Sequence, residues 1–286
     1  MRVGHAGTLD PFATGVLLVM VGDATRLMPL VSRLKKHYLA DTRLGVQTET
    51  LDPEGAVVQR QDPGPYNPSA LNEALFEFRG EVDQIPPRYS ALKVGGKRAY
   101  RLARAGQDVE LESRKVWIHH LGIAQVRWPS VHLHVACGPG TYIRSLARDL
   151  GLAMGLPAML EGLRRVRIGP FDVSRALCLE EGLEYDEVEK ALRDALIPSE
   201  ELAFASGVPT LTLDLVEARR FVMGQRLRIE ASRIPSQDEE PLAIFYEEPE
   251  TNSLRMVGLG RWKEAEVLSP YKVFSAVGEH LINASQ

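Results

Sequence analysis

Asp10 is the side chain in this sequence best placed to do chemistry. It lies in His5–Ala6–Gly7–Thr8–Leu9–Asp10–Pro11, where Gly4 and Gly7 would let a bound molecule approach the backbone closely. A carboxylate there can serve as a nucleophile or as an acid–base group. The same spacing has a plainer explanation. Asp followed by Pro at the start of a turn is the pattern of a helix N-cap with proline at the first helical position. Spacing alone leaves both readings standing.

A second candidate is electrostatic. Residues 86–104 carry six basic side chains, Arg88, Lys93, Lys97, Arg98, Arg101 and Arg104, and no acidic one. Tyr89 and Tyr100 are interleaved with them. Phosphates attract such a patch and aromatic rings stack on bases, so the segment reads either as a polyanion-binding surface or as a solvated helix face. Lys97, Arg101 and Arg104 are spaced to share one side of a helix that stops at Gly106.

Other groups lead nowhere chemically. His132 and His134 face the same side of a strand and His119–His120 are adjacent, but neither set has a third ligand at recognisable spacing, so no metal is expected. Gly95–Gly96 lacks the strand–turn–helix setting and the lysine of a phosphate loop. Cys137 and Cys178 form neither a disulfide framework nor a zinc cluster, which fits a reduced, cytoplasmic setting.

These residues must be held by a fold of 286 residues, a length that predicts two domains. Apolar residues make up 44% of the chain, enough for a sizeable core, and the longest apolar run, Val16–Val21, is too short to span a bilayer. The opening residues have no charged leader and apolar stretch of the secretory kind, so export is not expected. A net charge of −4 argues against a protein coated in positive charge, though not against a local patch.

Along the chain, the run Val16–Val21 reads as a buried strand bounded by Gly15 and Gly22, followed by a helix from Asp23 to Leu34. Residues 38–45 read as a strand and 48–55 as a polar turn. Leu71, Ala74, Leu75 and Phe78 mark an amphipathic helix ending at Gly80. The strict alternation of Val131–His132–Leu133–His134–Val135 predicts a half-buried strand. Gly138–Pro139–Gly140 then leads into a helix capped by Thr141, with Ile143, Leu146, Ala147 and Leu150 as its core stripe and Arg144 and Arg148 on another face. Residues 172–202 hold ten acids against three bases, an acidic helical connector with the stripe Val188, Ala191, Leu192 and Ala195. Beyond a boundary near 205 the pattern is strand-rich, with a short helix over 217–223 and strands over 242–246 and 254–260.

Taken together, these motifs resemble the TruB family of tRNA pseudouridine synthases. His5 to Leu17 resembles the family's catalytic motif, with Ala6 and Phe12 as mild departures. Lys36–His37–Tyr38 is similar to its basic-tyrosine motif, and Thr48–Glu49–Thr50–Leu51–Asp52 to its Thr-Asp-Thr-x-Asp turn. Pro86–Lys93 with Tyr100 and Ala103–Arg104 resembles an RNA-gripping thumb insertion. Gly140–Arg144 and Leu163–Arg164–Arg165 complete the series. Six such matches in the family's order are specific where any one would be weak.

The resemblance implies an α+β fold: a catalytic domain over 1–205 with a mixed, mainly antiparallel sheet flanked by helices, a thumb at about 86–115, and a small β-rich PUA-like domain over 206–286. It also implies a segment ahead of the catalytic motif, so either the start is placed too far downstream or the chain is a fragment. A misplaced start is favoured, since a missing strand leaves a sheet edge unpaired.

The implied reaction isomerises the T-loop uridine at position 55 of tRNA to pseudouridine. Asp10 is the implied nucleophile and Arg144 its candidate charge partner. Tyr38 stacks on the flipped base and helps remove the proton from carbon 5. His5 fills the space the base vacates, and Tyr142 and Leu163 line the cavity. Arg88, Lys93, Lys97, Arg98, Arg101 and Arg104 bind RNA. No cofactor is needed, and neither a guide RNA nor a membrane is expected; the protein should act as a monomer on the T-arm stem-loop. The competing readings are a non-catalytic tRNA-binding or folding protein, an inactive fragment, and a guide-dependent synthase of the same superfamily. The last is disfavoured because no partner-binding extension follows the PUA-like region.

Overall fold

The computed structural model describes all residues except 91, 95–96, 99–110, 180–181, 183, 236–240, 276–277, 279–280 and 282–286. Its contacts divide the chain into two compact units. One comprises Leu9–Val16 and Lys35–Ser174, the other Met1–Thr8, Leu17–Leu34 and Arg175–Gln286. This division of contacts differs from the single cut expected near 205. The acidic connector belongs with the C-terminal residues, and two N-terminal pieces join them.

The first unit is built on a seven-stranded sheet. Its strands are β1 (Thr14–Gly15), β2 (Lys36–Leu44), β3 (Gly80–Gln84), β4 (Arg114–Arg127), β5 (Ser130–Cys137), β6 (Ala158–Ile168) and β7 (Phe171–Asp172). The order across the sheet is β7-β6-β2-β5-β4-β3, with every neighbour antiparallel, while β1 pairs in parallel with β6. The sheet is therefore mixed and mainly antiparallel, as expected. Alternation writes the two faces: Lys36, Tyr38, Ala40, Thr42 and Leu44 of β2 are buried and the residues between them are half-exposed. In β5 the odd positions Val131, Leu133, Val135 and Cys137 turn to the core, and His132 and His134 turn away from it.

Two helices, α1 (Pro68–Glu77) and α2 (Ile143–Ala153), supply the other side of the core. α1 begins where Asn67 accepts hydrogen bonds from the backbone of Ser69 and Ala70, and it buries Leu71, Ala74 and Leu75. α2 buries the predicted stripe of Ile143, Leu146, Ala147 and Leu150. Its N-cap, however, is Tyr142 and not Thr141, whose hydroxyl donates instead to the Gly138 carbonyl at 3.1 Å. No side chain caps the helix, but Gln84 holds the N-cap residue itself. Its side-chain oxygen accepts from the Tyr142 N–H at 2.8 Å and its amide donates to the Tyr142 carbonyl at 3.1 Å.

In the second unit a five-stranded sheet is made of β8 (Thr210–Leu213), β9 (Leu227–Arg228), β10 (Leu242–Glu247), β11 (Leu254–Glu264) and β12 (Val267–Val273). Helix Leu215–Val222 covers it with Ala218 and Phe221, and Leu242, Ile244, Tyr246, Val257 and Leu268 fill the core beneath. Val3–His5 and Val19–Val21 form a separate two-stranded ladder here. The run Val16–Val21 is therefore not one buried strand. Only Val16 and Met20 are buried, because the chain leaves the large sheet after β1 and enters a second ladder at Val19. The expected helix over 23–34 begins as a 3-10 turn, Gly22–Leu27, and becomes α-helical at Met28–Arg33. Arg26 ties this piece to the end of β12, donating to the Val273 carbonyl and, at 2.8 Å, to the Ser275 hydroxyl.

Candidate active site

Asp10 opens a turn rather than a helix: the Ala13 N–H donates to the Asp10 carbonyl at 2.9 Å, with Pro11 and Phe12 between them. Pro11 presets the backbone of such a turn. Phe12 and Ala13 pack on the core, and Thr14–Gly15 then locks into the edge of the sheet beside Arg164 and Arg165. The lock demands glycine. At φ +103°, a Cβ on Gly15 would sit 2.1 Å from the Arg165 carbonyl oxygen. The capping reading of Asp10 is thereby removed, since no helix follows it.

Its carboxylate turns instead to Arg144. Nη2 donates to Oδ1 at 2.8 Å and Nε to Oδ2 at 3.0 Å, the two-pronged geometry that fixes a carboxylate most firmly. Nη1 donates to Asp52 Oδ2 at 3.0 Å and to the Thr50 carbonyl at 2.8 Å, while Nη2 also donates to the Tyr89 carbonyl at 3.0 Å. All five guanidinium hydrogens have an acceptor. Arg144 is only 5% exposed, although it lies off the core stripe of α2, where a surface residue was the plain alternative. Two carboxylates thus share one buried cation.

Asp52 comes from a turn between two short strands, Val46–Thr48 and Val57–Arg60. The Glu54 N–H and the Thr50 hydroxyl both donate to Asp52 Oδ1, and the Thr48 hydroxyl donates to the Asp52 carbonyl at 2.6 Å. Leu51 adopts φ +62° to make this turn, a strained conformation for a branched side chain. α2 also grips the start of the basic segment. Ser145 and Arg148 donate to the Ile85 carbonyl, and Arg144 holds Tyr89.

Tyr38 and Leu163 lie on the core face of neighbouring strands: Tyr38 is paired with Arg165, and Leu163 with Ala40. Burial, reinforced by the nearby Cys137 and Asp10 and opposed by Arg165, pushes the Tyr38 phenol up to about 12. Burial likewise pushes the Cys137 thiol up to about 11, which leaves it no reactive thiolate at neutral pH. Tyr142 is half-buried, with the Arg114 guanidinium 4.7 Å from the centre of its ring. Asp10, Arg144, Tyr38, Tyr142 and Leu163 all belong to the first unit; His5, exposed in its short strand, belongs to the second.

The basic segment follows another course than the predicted helix. Lys93–Val94 pairs antiparallel with Lys97–Arg98, so Lys97 lies in a hairpin strand. Arg88 is exposed, and Arg101 and Arg104 lie outside the described residues. Among the described residues no group of three or more His, Cys, Asp or Glu could hold a metal ion, and no helix is long and apolar enough to cross a membrane. His132 Nδ1 lies instead 2.5 Å from Asp41 Oδ1. Three residues were given no role from the sequence: Gln84, and Asp52 and Arg165, which were named only as members of motifs; all are buried and all bonded to backbone groups.

Comparison with known proteins decides the family. Residues 1–143 match the TruB family pseudouridylate synthase (N terminal domain), and residues 144–203 the tRNA pseudouridylate synthase B C-terminal domain. The chain belongs to the TruB family. It is 41% identical over 252 residues to a tRNA pseudouridine synthase B of Thermobifida fusca, covering 85% of this chain and 81% of that protein. A tRNA pseudouridine synthase B of Dehalococcoides mccartyi is 40% identical over 278 residues, 94% of this chain and 88% of the other. Among solved structures, a Cbf5-Nop10-Gar1 complex superposes with a TM-score of 0.69 at 24% identity, over 96% of this chain and 77% of that one, which shows a shared fold. The TruB signature thus runs through the Asp10 turn, the Asp52 turn and the start of α2, the three pieces that Arg144 ties together.

Proposed function

We propose that this TruB-family chain converts the T-loop uridine at position 55 of tRNA to pseudouridine, with Asp10 as the nucleophile. The observation that carries this reading is the two-pronged hold of Arg144 on a carboxylate whose side chain stays 30% exposed, in a turn where it caps nothing. A carboxylate fixed in direction and open on one side is what attack on a sugar or base requires. The isomerisation breaks the bond from the sugar to base nitrogen 1 and forms one to base carbon 5. A proton leaves carbon 5 and nitrogen 1 gains one, so nothing is oxidised and no cofactor is called for.

A uridine held in a loop must first be swung out, at roughly a few kcal/mol of unstacking. Tyr38, Tyr142 and Leu163 then receive the base. With its phenol raised to about 12, Tyr38 meets the base protonated, which suits stacking and argues against a phenolate taking the proton from carbon 5. His5 fills the vacated space. Arg88, Lys93, Lys97, Arg98, Arg101 and Arg104 grip the T-arm, and the β-rich sheet beyond 206 serves as a PUA-like RNA-binding domain. The protein works as a monomer and without a guide RNA.

The test is tritium release from tRNA labelled at uridine carbon 5. The unaltered chain should release label and Asp10→Asn should release none. Turnover by Asp10→Asn would eliminate Asp10 as the nucleophile. Tight T-arm binding without release by the unaltered chain would identify a binding protein instead.

A further inference from the structure

Arg165 is 1% exposed, one of the largest side chains buried completely, and the chemistry above gives it no part. A cation in that position is tolerated only where its donors find acceptors, so its partners define its role. Its Nε donates to the Val16 carbonyl at 2.8 Å, and its own carbonyl accepts from the Val16 N–H at 2.8 Å. Its side chain also hydrogen-bonds to Tyr38, the residue directly opposite it on β2. On the Asp10 side, Gly15 closes against the same residue so tightly that no Cβ fits.

From these contacts we infer that Arg165 is a positioning residue, a single buried guanidinium that holds the Asp10 loop and the Tyr38 ring in register with each other. The inference rests on the reading of Asp10 as nucleophile and of Tyr38 as the stacking ring. The distance along the chain is short. The turn Asp10–Ala13 is followed at once by Thr14–Gly15 and Val16, so the clamp on Val16 sets where the carboxylate stands above the sheet. The hydrogen bond to Tyr38 sets where the base stacks. A reacting pair displaced by an ångström loses on the order of 100-fold in rate even when binding is intact. Lysine cannot replace this residue, because a point charge on one nitrogen lacks the fork that reaches two acceptors in different directions.

The experiment compares Arg165→Lys with the unaltered chain for single-turnover pseudouridine formation and for tRNA affinity, alongside thermal melting. The expected result is a rate lower by about 10- to 100-fold with affinity within about twofold, and a loss that is less than additive with Tyr38→Phe because both changes cut one link. An unchanged rate in a folded variant overturns the inference, as does a fully additive loss. Should Arg165→Lys fail to fold, Arg165→Gln carries the same comparison; if neither folds, Arg165 is a structural residue and the inference falls. Asp10→Asn in the same assay separates the two claims. Turnover by that variant sinks the nucleophile reading, whereas its inactivity beside a fully active Arg165→Lys sinks only this one.

Discussion

Asp10 and Asp52 share one guanidinium but not one environment. Asp52 is 2% exposed and is met by a hydroxyl and a backbone N–H besides Arg144, so it acts as a fixed strut. Asp10 keeps an open side. Replacing Arg144 by Met should therefore do two things. It leaves the buried Asp52 charge without its cation, at a cost of about 3–5 kcal/mol in stability measured by urea unfolding, and it frees Asp10 to swing, abolishing turnover. A stability loss below about 1 kcal/mol would show that Asp52 does not depend on Arg144. Asp10 and Arg144 were legible in the sequence because each stood out from its local pattern, an acid among glycines and a cation beside an apolar stripe. The roles of Asp52, Gln84 and Arg165 were not, although Asp52 and Arg165 stood within recognisable motifs. Their partners are mostly backbone atoms brought close by folding, and such contacts leave no spacing in the sequence.

Among the elements, the two-residue strand β1 does most to place the site, despite its size. It is the only parallel pairing in the large sheet as described, and Gly15 is its fulcrum. Gly15→Ala should lose about 1–3 kcal/mol from the positive φ alone, and the clash with the Arg165 carbonyl adds to that. Thermal melting and turnover together check it, and full activity at an unchanged melting temperature would mean that β1 is dispensable. Periodicity found the α1 and α2 stripes and the alternation of β5, since each buries one continuous face. It misread Val16–Val21, where six apolar residues are split between two sheets, and it missed the hold of Gln84 on Tyr142 just ahead of α2, since Gln84 lies far away in sequence.

For the whole molecule, a net charge of −4 must be reconciled with a polyanionic substrate, and local asymmetry does this. The acids concentrate over 172–202 and the bases over 86–104. Replacing Arg88 and Lys93 together by Ala should weaken tRNA binding and flatten its salt dependence. Each lost phosphate contact should lower the slope of log affinity against log salt by roughly 0.7–0.9. An unaltered slope would mean that these cations do not touch the backbone of the RNA. The division of contacts into two units differs from the cut expected near 205, because composition changes there while the contacts that join residues 1–8 and 17–34 to the C-terminal part, such as those of Arg26, are invisible until the chain folds.

Nη2 of Arg144 donates both to Asp10 and to the carbonyl of Tyr89, at the root of the basic segment. Tension applied to that root by a captured nucleic acid would travel to the Asp10 carboxylate through two hydrogen bonds and one rigid plane. Having no hydrogen in reserve, the arginine can greet a newcomer only by releasing a current partner. On the proposed reading of Asp10 and of the basic segment, the grip on RNA and the aim of the carboxylate bear on one shared nitrogen, so a change at either is felt at the other.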